Sequence, residues 1–406
     1  MGLRLFAYRD FRLYQCARFF LTIAIQMQSV AVGWQVYDLT RRPRDLGIVG
    51  LVQFLPMIGL SPITGHTADR FDRRRVILVC QLGIAASSLM LLASTLAHTE
   101  HAYFIYGTLV LFGAARAFSG PAASALTTHL VPMAEFPDAV AWGSSVWQAA
   151  TVIGPALGGV VYALSGGAGG VYALSALLAL SAFGCVLSMK VRTGRMERSA
   201  PSLQTLLAGV RYVFSQKLIL GSITLDLFAV LLGGAVALLP IFARDILHTG
   251  PWGLGILRSA PAFGALVMAV WLAFHPLRRR AGLTMFACVG IFGVATIVFA
   301  LSNVYMVSLV ALMIAGAADM VSVVVRGTLV QIATPSEMRG RVSAVNQVFV
   351  GASNELGEFE SGLTADWLGV VPAAVFGGFA TCAVVATCMF LFPALRRVDR
   401  LDKAMR

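Results

Sequence analysis

Charge is what this sequence has least of. Only 12% of its 406 residues are Asp, Glu, Lys or Arg, about half the share of a soluble domain. With 58% hydrophobic residues, a water-soluble globular chain of ordinary composition is excluded. Acids are the scarcer sign, 19 against 31 bases, for a formal net charge of +12. No Gly-x-x-x-x-Gly-Lys-Ser/Thr stretch occurs, so a nucleotide-phosphate loop of that kind is not expected. The histidines, His66, His98, His101, His129, His248 and His275, lie mainly near the ends of apolar runs without ligand spacing. That argues against a metal site and makes a membrane-embedded enzyme the weakest class. Six cysteines, Cys16, Cys80, Cys185, Cys288, Cys382 and Cys388, sit in or beside apolar runs. They read as small packing residues, not as metal ligands or disulfides. No metal and no cofactor is expected.

What is abundant is apolar length. Val76 to Ala97, Ala102 to Gly113 and Val370 to Leu395 are nearly continuous. A hydrocarbon core of about 30 Å takes about 20 helical residues, and only helices or closed barrels satisfy their backbone there. The runs do not alternate apolar and polar residues as barrel strands do. The expectation is an all-α membrane protein with twelve transmembrane helices near 14–38, 46–66, 76–97, 102–130, 138–164, 170–190, 217–244, 252–275, 282–301, 303–331, 340–367 and 371–394. Its neighbour is a lipid bilayer, and nothing points to nucleic acid.

Basic residues gather at every second connection: Arg70 to Arg75, Lys190 to Arg198, Arg278 to Arg280, Arg339 to Arg341 and Arg396 to Arg406. By the positive-inside rule these loops and both termini face the cytoplasm. Arg41, Arg42 and Arg44 stand on the opposite side, flanked by Asp38 and Asp45, and are outvoted. Arg4, Arg9 and Arg12 precede a first run too long for a signal-peptide core, and no small-residue cleavage site stands out, so no removed signal is expected.

The one long polar connection, 191–216, separates a bundle at 1–190 from a bundle at 217–406, and it contains an amphipathic stretch through Leu206, Val210 and Val213. The halves repeat. The offset that sets Gly113 on Gly316 also aligns Arg116 with Asp319, Pro132 with Pro335, Gly154 with Gly357 and Gly159 with Gly362, without a gap. Two parallel six-helix pseudo-repeats joined by a linker are a transporter architecture.

Three motifs carry a resemblance. Gly65-His66-Thr67-Ala68-Asp69-Arg70-Phe71-Asp72-Arg73-Arg74-Arg75, between spans 2 and 3, resembles the signature loop of the major facilitator superfamily, with Asp72 where a Gly is usual. Arg116 in span 4 resembles the superfamily's buried arginine. Gly154-Pro155-Ala156-Leu157-Gly158-Gly159 in span 5 resembles the motif found in its exporters and called the antiporter motif. With Leu254 to Pro261 and Thr334 to Val342, the whole chain is similar to the enterobactin-exporter-like branch, the transmembrane secretion effectors.

The resemblance implies a monomeric, proton-coupled exporter of small organic molecules, such as siderophores, metabolites or drugs, in a bacterial inner membrane. An importer or lipid translocator on the same fold, or a non-transporting sensor, are the alternatives. Gly65, Asp69, Arg70, Arg73 and Arg74 would control conformational balance. Asp226 and Asp319, opposite Arg18 and Arg116 of the first half, would line the cavity, since spans 1, 4, 7 and 10 line it in this superfamily. Glu355 and Glu358 of span 11 are further candidates for proton coupling, because a carboxylate in a low-dielectric site can bind a proton near neutral pH. A carboxylate in an apolar helix is costly and rarely incidental. At 100° per residue, Glu355 and Glu358 share a face, as do Asp319 and Arg326. Each acid has a plainer reading as a neutraliser of Arg258 or Arg326, and Asp319 could equally pair with Arg116.

Overall fold

The computed structural model describes residues 2–99, 101–191, 203–277, 279–335 and 337–399. All regular structure among them is helical. In chain order the helices are α1 (Arg9–Thr40), α2 (Pro43–Arg70), α3 (Arg73–Leu96), α4 (Ala102–Thr127), α5 (Phe136–Ser165) and α6 (Ala168–Leu187). The amphipathic α7 (Leu203–Ser215) follows, then α8 (Lys217–Gly233), the three-residue α9 (Leu239–Ile241), α10 (Gly250–Phe274) and α11 (Ala281–Leu301). The series ends with α12 (Tyr305–Ala333), α13 (Arg339–Leu368), α14 (Val370–Leu391) and α15 (Pro393–Arg396). Ten elements are long and apolar enough to cross a membrane. Two more, α2 and α13, have 28 and 30 residues and fall on the remaining expected spans. The expected twelve spans are therefore all helices.

Local chemistry sets the boundaries. The side chain of Asp72 accepts a hydrogen bond from the Arg74 amide at 3.1 Å and caps the start of α3. The residue that departs from the superfamily's usual Gly thus starts a helix. The end of α5 is Gly166 with φ +71°, a left-handed conformation that costs least without a Cβ. α1 ends differently: Arg41 takes φ +55°, and its amide donates to the Tyr37 carbonyl. The seventh span is interrupted. α8 stops at Gly233, a 3-10 turn covers Ala235–Leu238, and a π turn covers Phe242–Ile246. Such breaks free backbone groups that a membrane helix otherwise satisfies internally.

The chain divides into two compact units. The first comprises Met1–Arg41, Leu51–Pro201 and Thr249–Ser259, and the second Arg42–Gly50, Ser202–His248 and Ala260–Arg406. One core of the first unit joins Phe11 and Tyr14 of α1 to Ala122 and Leu126 of α4, Ala139 of α5 and Val186 of α6. In the second, Leu225 of α8 packs with Met285 and Val289 of α11 and Val325 and Leu329 of α12. Val213 of α7 is fully buried with Val342 and Val345 of α13, so the amphipathic stretch read in the 191–216 connection is a docked helix. The rest of that connection, 192–202, lies outside the described residues.

The duplication is visible in both boundaries and packing. Ala102 and Tyr305 start α4 and α12, Phe136 and Arg339 start α5 and α13, and Ser165 and Leu368 end them. Each pair has the offset that aligns Gly113 with Gly316. The aligned glycines do equivalent work. Gly113 lies against the Gln53 carbonyl of α2, and Gly316 against the Pro261 carbonyl of α10. A methyl group on Gly154 would come within 2.6 Å of the Gln26 Cβ on α1, and one on Gly357 within 3.0 Å of the Leu231 carbonyl on α8. Gly159 meets Gly255 in the first unit, and Gly362 meets Gly47 in the second: a methyl on Gly159 or Gly362 would lie 2.8 or 2.7 Å from the facing glycine Cα. Small residues at these points let backbones touch, which is how membrane helices gain dispersion energy without a hydrophobic effect.

Gly158 tests this packing. A methyl there would lie 2.9 Å from the Met27 Cα, so Gly158→Val should cost about 1–3 kcal/mol through overpacking and lower the thermal midpoint in detergent. Gly184 of α6 faces open space, and Gly184→Ala should leave the midpoint unchanged or raise it. Equal losses from both substitutions would refute the packing role.

Candidate functional site

A charge inside an apolar span is costly, so each one asks where its compensation lies. In the second unit the answer for one pair is direct. Asp226 of α8 and Arg326 of α12 are each 5% exposed, and Arg326 Nη1 forms an ion pair with Asp226 Oδ2. The Coulomb attraction offsets two desolvation costs, and removing either partner leaves the other charge buried. Asp319 lies seven residues before Arg326, on the same face of α12 and about 10 Å along it. It is partly buried and makes no hydrogen bond or ion pair among the described residues. Glu355 and Glu358 of α13 are also partly buried. A methyl built on Gly50 would lie 3.0 Å from the Glu358 carboxylate, so that side chain covers the glycine.

The first unit contains guanidinium groups of a different kind. Arg116 of α4 lies over the Phe112 ring, 5.8 Å from its centroid, a cation–π contact that softens its burial. Arg18 of α1 sits 5.9 Å from the Tyr14 ring centroid, and its Nη1 packs directly on Gly143 of α5. Beside it, Gln15 is 4% exposed and neither amide atom finds a partner. Arg258 of α10 donates from Nη2 to the Ser29 hydroxyl of α1 at 2.7 Å. Among the described residues an acid neutralises Arg326 and none neutralises Arg258.

Of the signature-loop residues, the surroundings of Gly65 and the side chain of Asp69 lie outside the described residues, and Arg70 is exposed where α2 ends. The other two hold the loop down. Arg74 donates from Nε to the Val186 carbonyl at 3.0 Å and from Nη2 to the Leu187 carbonyl at 2.6 Å. These are the last carbonyls of α6, where a cation complements the helix dipole. Arg73 is buried, with Nη1 3.3 Å from the ring nitrogens of His129 beyond α4. The loop therefore ties α3 to the ends of α4 and α6. Gly154, Pro155, Gly158 and Gly159 are all buried in α5. Gly154 and Gly158 face α1, while Gly159 faces α10.

Sequence reasoning missed a buried amide ladder. Ser88 of α3 donates to the Gln28 carbonyl oxygen at 2.6 Å. Tyr172 of α6 donates to Gln35 at 2.6 Å, and Gln35 donates to Thr95 at 3.2 Å. Its signal was present: Gln15, Gln28 and Gln35 recur along one long apolar helix, α1.

These features, on this fold, match a known family. The model of the transmembrane secretion effectors covers residues 3–406. This chain belongs to that family. Its function is membrane transport and not enzyme catalysis. The secretion effector is similar to the enterobactin exporter EntS of Citrobacter koseri, with 28% identity over 391 residues that span 95% of this chain and 92% of the exporter. It is 26% identical to the multidrug efflux pump Tap of Mycobacterium tuberculosis, across 92% and 91% of the two chains. It is 22% identical to macrolide efflux protein A of Streptococcus pyogenes, across 92% and 93%. Among solved structures, a bacterial homologue of the lysosomal transporter Spinster, inward-facing and unoccupied, gives a TM-score of 0.72 at 14% identity over 96% of each chain. The nucleoside transporter NupG gives 0.69 at 13% identity, over 94% of this chain and 99% of that one. At that identity the likeness shows the fold alone, and the fold is the expected major facilitator arrangement. This secretion effector is thus a multi-pass membrane transporter.

The ion pair yields a prediction. Asp226→Asn strands Arg326 and should cost about 3–5 kcal/mol, read as a lowered unfolding midpoint. The double variant Asp226→Leu with Arg326→Met removes both charges at similar volume and should restore the midpoint. A double variant as unstable as the single one would show that the two charges act separately.

Proposed function

We propose that this protein is a proton-coupled exporter, an antiporter for small organic molecules such as siderophores, metabolites or drugs. It works in a bacterial inner membrane by alternating access, as a monomer with both termini cytoplasmic. The efflux relatives, aligned over more than nine-tenths of this chain, support the direction. One observation supports the coupling. Asp226 is already engaged by Arg326, whereas Asp319, on the same face of α12, has no partner among the described residues. An acid that serves as counter-ion to a buried arginine is poorly placed to exchange protons. An acid without such duty can take a proton on one side and release it on the other, biasing the equilibrium between two conformations. Asp319 is therefore the coupling residue of this reading.

The test begins with the metabolite that a deletion strain retains. Everted membrane vesicles should accumulate that compound when a pH gradient is imposed and lose the accumulation when it collapses. Asp319→Asn mimics the protonated acid at nearly the same volume. It should abolish gradient-driven accumulation while one-for-one exchange of the compound continues. Full gradient response in Asp319→Asn would reject Asp319 as the coupling site. Loss of exchange together with thermal stability, partly restored by Arg116→Gln, would assign the acid a structural role instead.

A further inference from the structure

Two arginines within apolar spans, Arg326 buried and Arg258 half-buried, solve the same problem in opposite ways. Arg326 has an acid. Arg258 has only a hydroxyl: its described hydrogen bond is the one to Ser29 at 2.7 Å, and no carboxylate pairs with it among the described residues. Arg18 likewise has no acid partner there. A guanidinium presents five donors in a rigid fork. Ser29 occupies one of them and leaves the charge unbalanced in a span where charges cost about 2.5–3.5 kcal/mol on insertion scales.

Depth says what could balance it. Ser29 is 11 residues before the end of α1 at Thr40, about 16 Å along the helix. Arg258 is eight residues into α10 from Gly250, about 12 Å from its start. Both positions are inside a hydrocarbon core of about 30 Å, below the level of lipid headgroups. The surroundings are apolar and aromatic. Trp34 of α1 and Tyr162 of α5 meet with ring centroids 6.3 Å apart, five residues along α1 from Ser29 and eight along α5 from Gly154. Arg18, 11 residues before Ser29, lies on the same face of α1 within about 20°. Two guanidiniums, Arg18 of α1 and Arg258 of α10, thus lie along this face of α1, and neither has an acid partner among the described residues.

We propose that Arg258, supported by the Ser29 hydroxyl, is the anion-recognition group for the transported solute. That solute is then an organic acid, a carboxylate, phosphate or ionised phenol carried on an apolar body. A planar fork with one arm steadied by Ser29 is preorganised to grip two oxygens of such a group. The assignment rests on the transporter reading above, but not on its direction or its proton coupling.

Equilibrium binding to the full-length protein in detergent separates these questions, because it needs no transport. The probes are radiolabelled salicylate, with unlabelled phenyl phosphate, salicylamide and phenol as competitors. The acids should compete at least ten-fold better than their uncharged counterparts. Arg258→Gln should weaken salicylate at least ten-fold and erase that preference. Arg258→Lys, which keeps the charge but loses the fork, should fall between, and Ser29→Ala should weaken salicylate several-fold with the thermal midpoint unchanged. These last two variants carry the test if Arg258→Gln fails to fold. Reconstitution in nanodiscs of phosphatidylcholine with and without phosphatidylglycerol distinguishes a solute from a headgroup. Displacement of salicylate by phosphatidylglycerol would overturn the proposal. So would equal competition by acid and amide, affinities unmoved by any of the three variants, or no saturable salicylate binding. Failure of gradient-driven export with acid selectivity intact would fault the exporter reading and leave this one standing.

Discussion

Inside a bilayer no water completes a hydrogen bond or screens a charge, and the rest of this structure follows from that constraint. It forces the backbone into helices that satisfy themselves. It also removes the hydrophobic drive between helices, because lipid is as apolar as leucine. Cohesion then depends on backbones coming close enough for dispersion to accumulate. The glycines of α4, α5, α12 and α13 supply that closeness, and each half uses them against equivalent neighbours. The same constraint turns every buried polar side chain into a question of partnership, answered by an acid for Arg326, by a ring for Arg116 and by amide and hydroxyl groups along α1.

Seen this way, the two units differ in what they do with charge. The second closes an ion pair between α8 and α12 and carries further acids on α12 and α13. The first holds arginines that rest on rings, a glycine and a serine. A duplicated fold has thus acquired an asymmetric interior, with Arg116 and Asp319 at equivalent positions but of opposite sign. The glycine framework stayed common to both halves while the polar groups diverged. Packing positions tolerate no added methyl, whereas a polar position can change sign if its neighbours change with it.

The spans were legible in the sequence because their signal is local: a run of apolar residues has the same meaning wherever it folds. The duplication was legible too, since Gly113, Gly154 and Gly159 recur without a gap in the second half. Pairing was not. Whether Asp226 or Asp319 faces Arg326 depends on the rotation of α8 against α12, and neither helix's own pattern fixes it. Asp72 read as a departure from the signature loop, yet its side chain performs an ordinary helix cap on Arg74. Arg73 read as part of the loop that controls conformational balance, and its burial against His129 was not legible, because it depends on α4 ending beside it. In each case the missing information is the position of a helix that is remote in sequence.

The distance along the chain between Asp226 and Arg326 has a consequence for synthesis. The two residues that neutralise each other are a hundred positions apart. At about 5–20 residues per second, α8 emerges from the ribosome roughly 5–20 s before α12. During that interval the acid lacks the guanidinium it pairs with, and α8 must enter the membrane on the strength of its apolar residues. Three further spans, α10, α11 and α12, have to be threaded before the second half can lock. Until then it is a set of inserted helices still waiting for the residue that fixes their arrangement, and the quality-control proteases of the membrane would meet it in that open form.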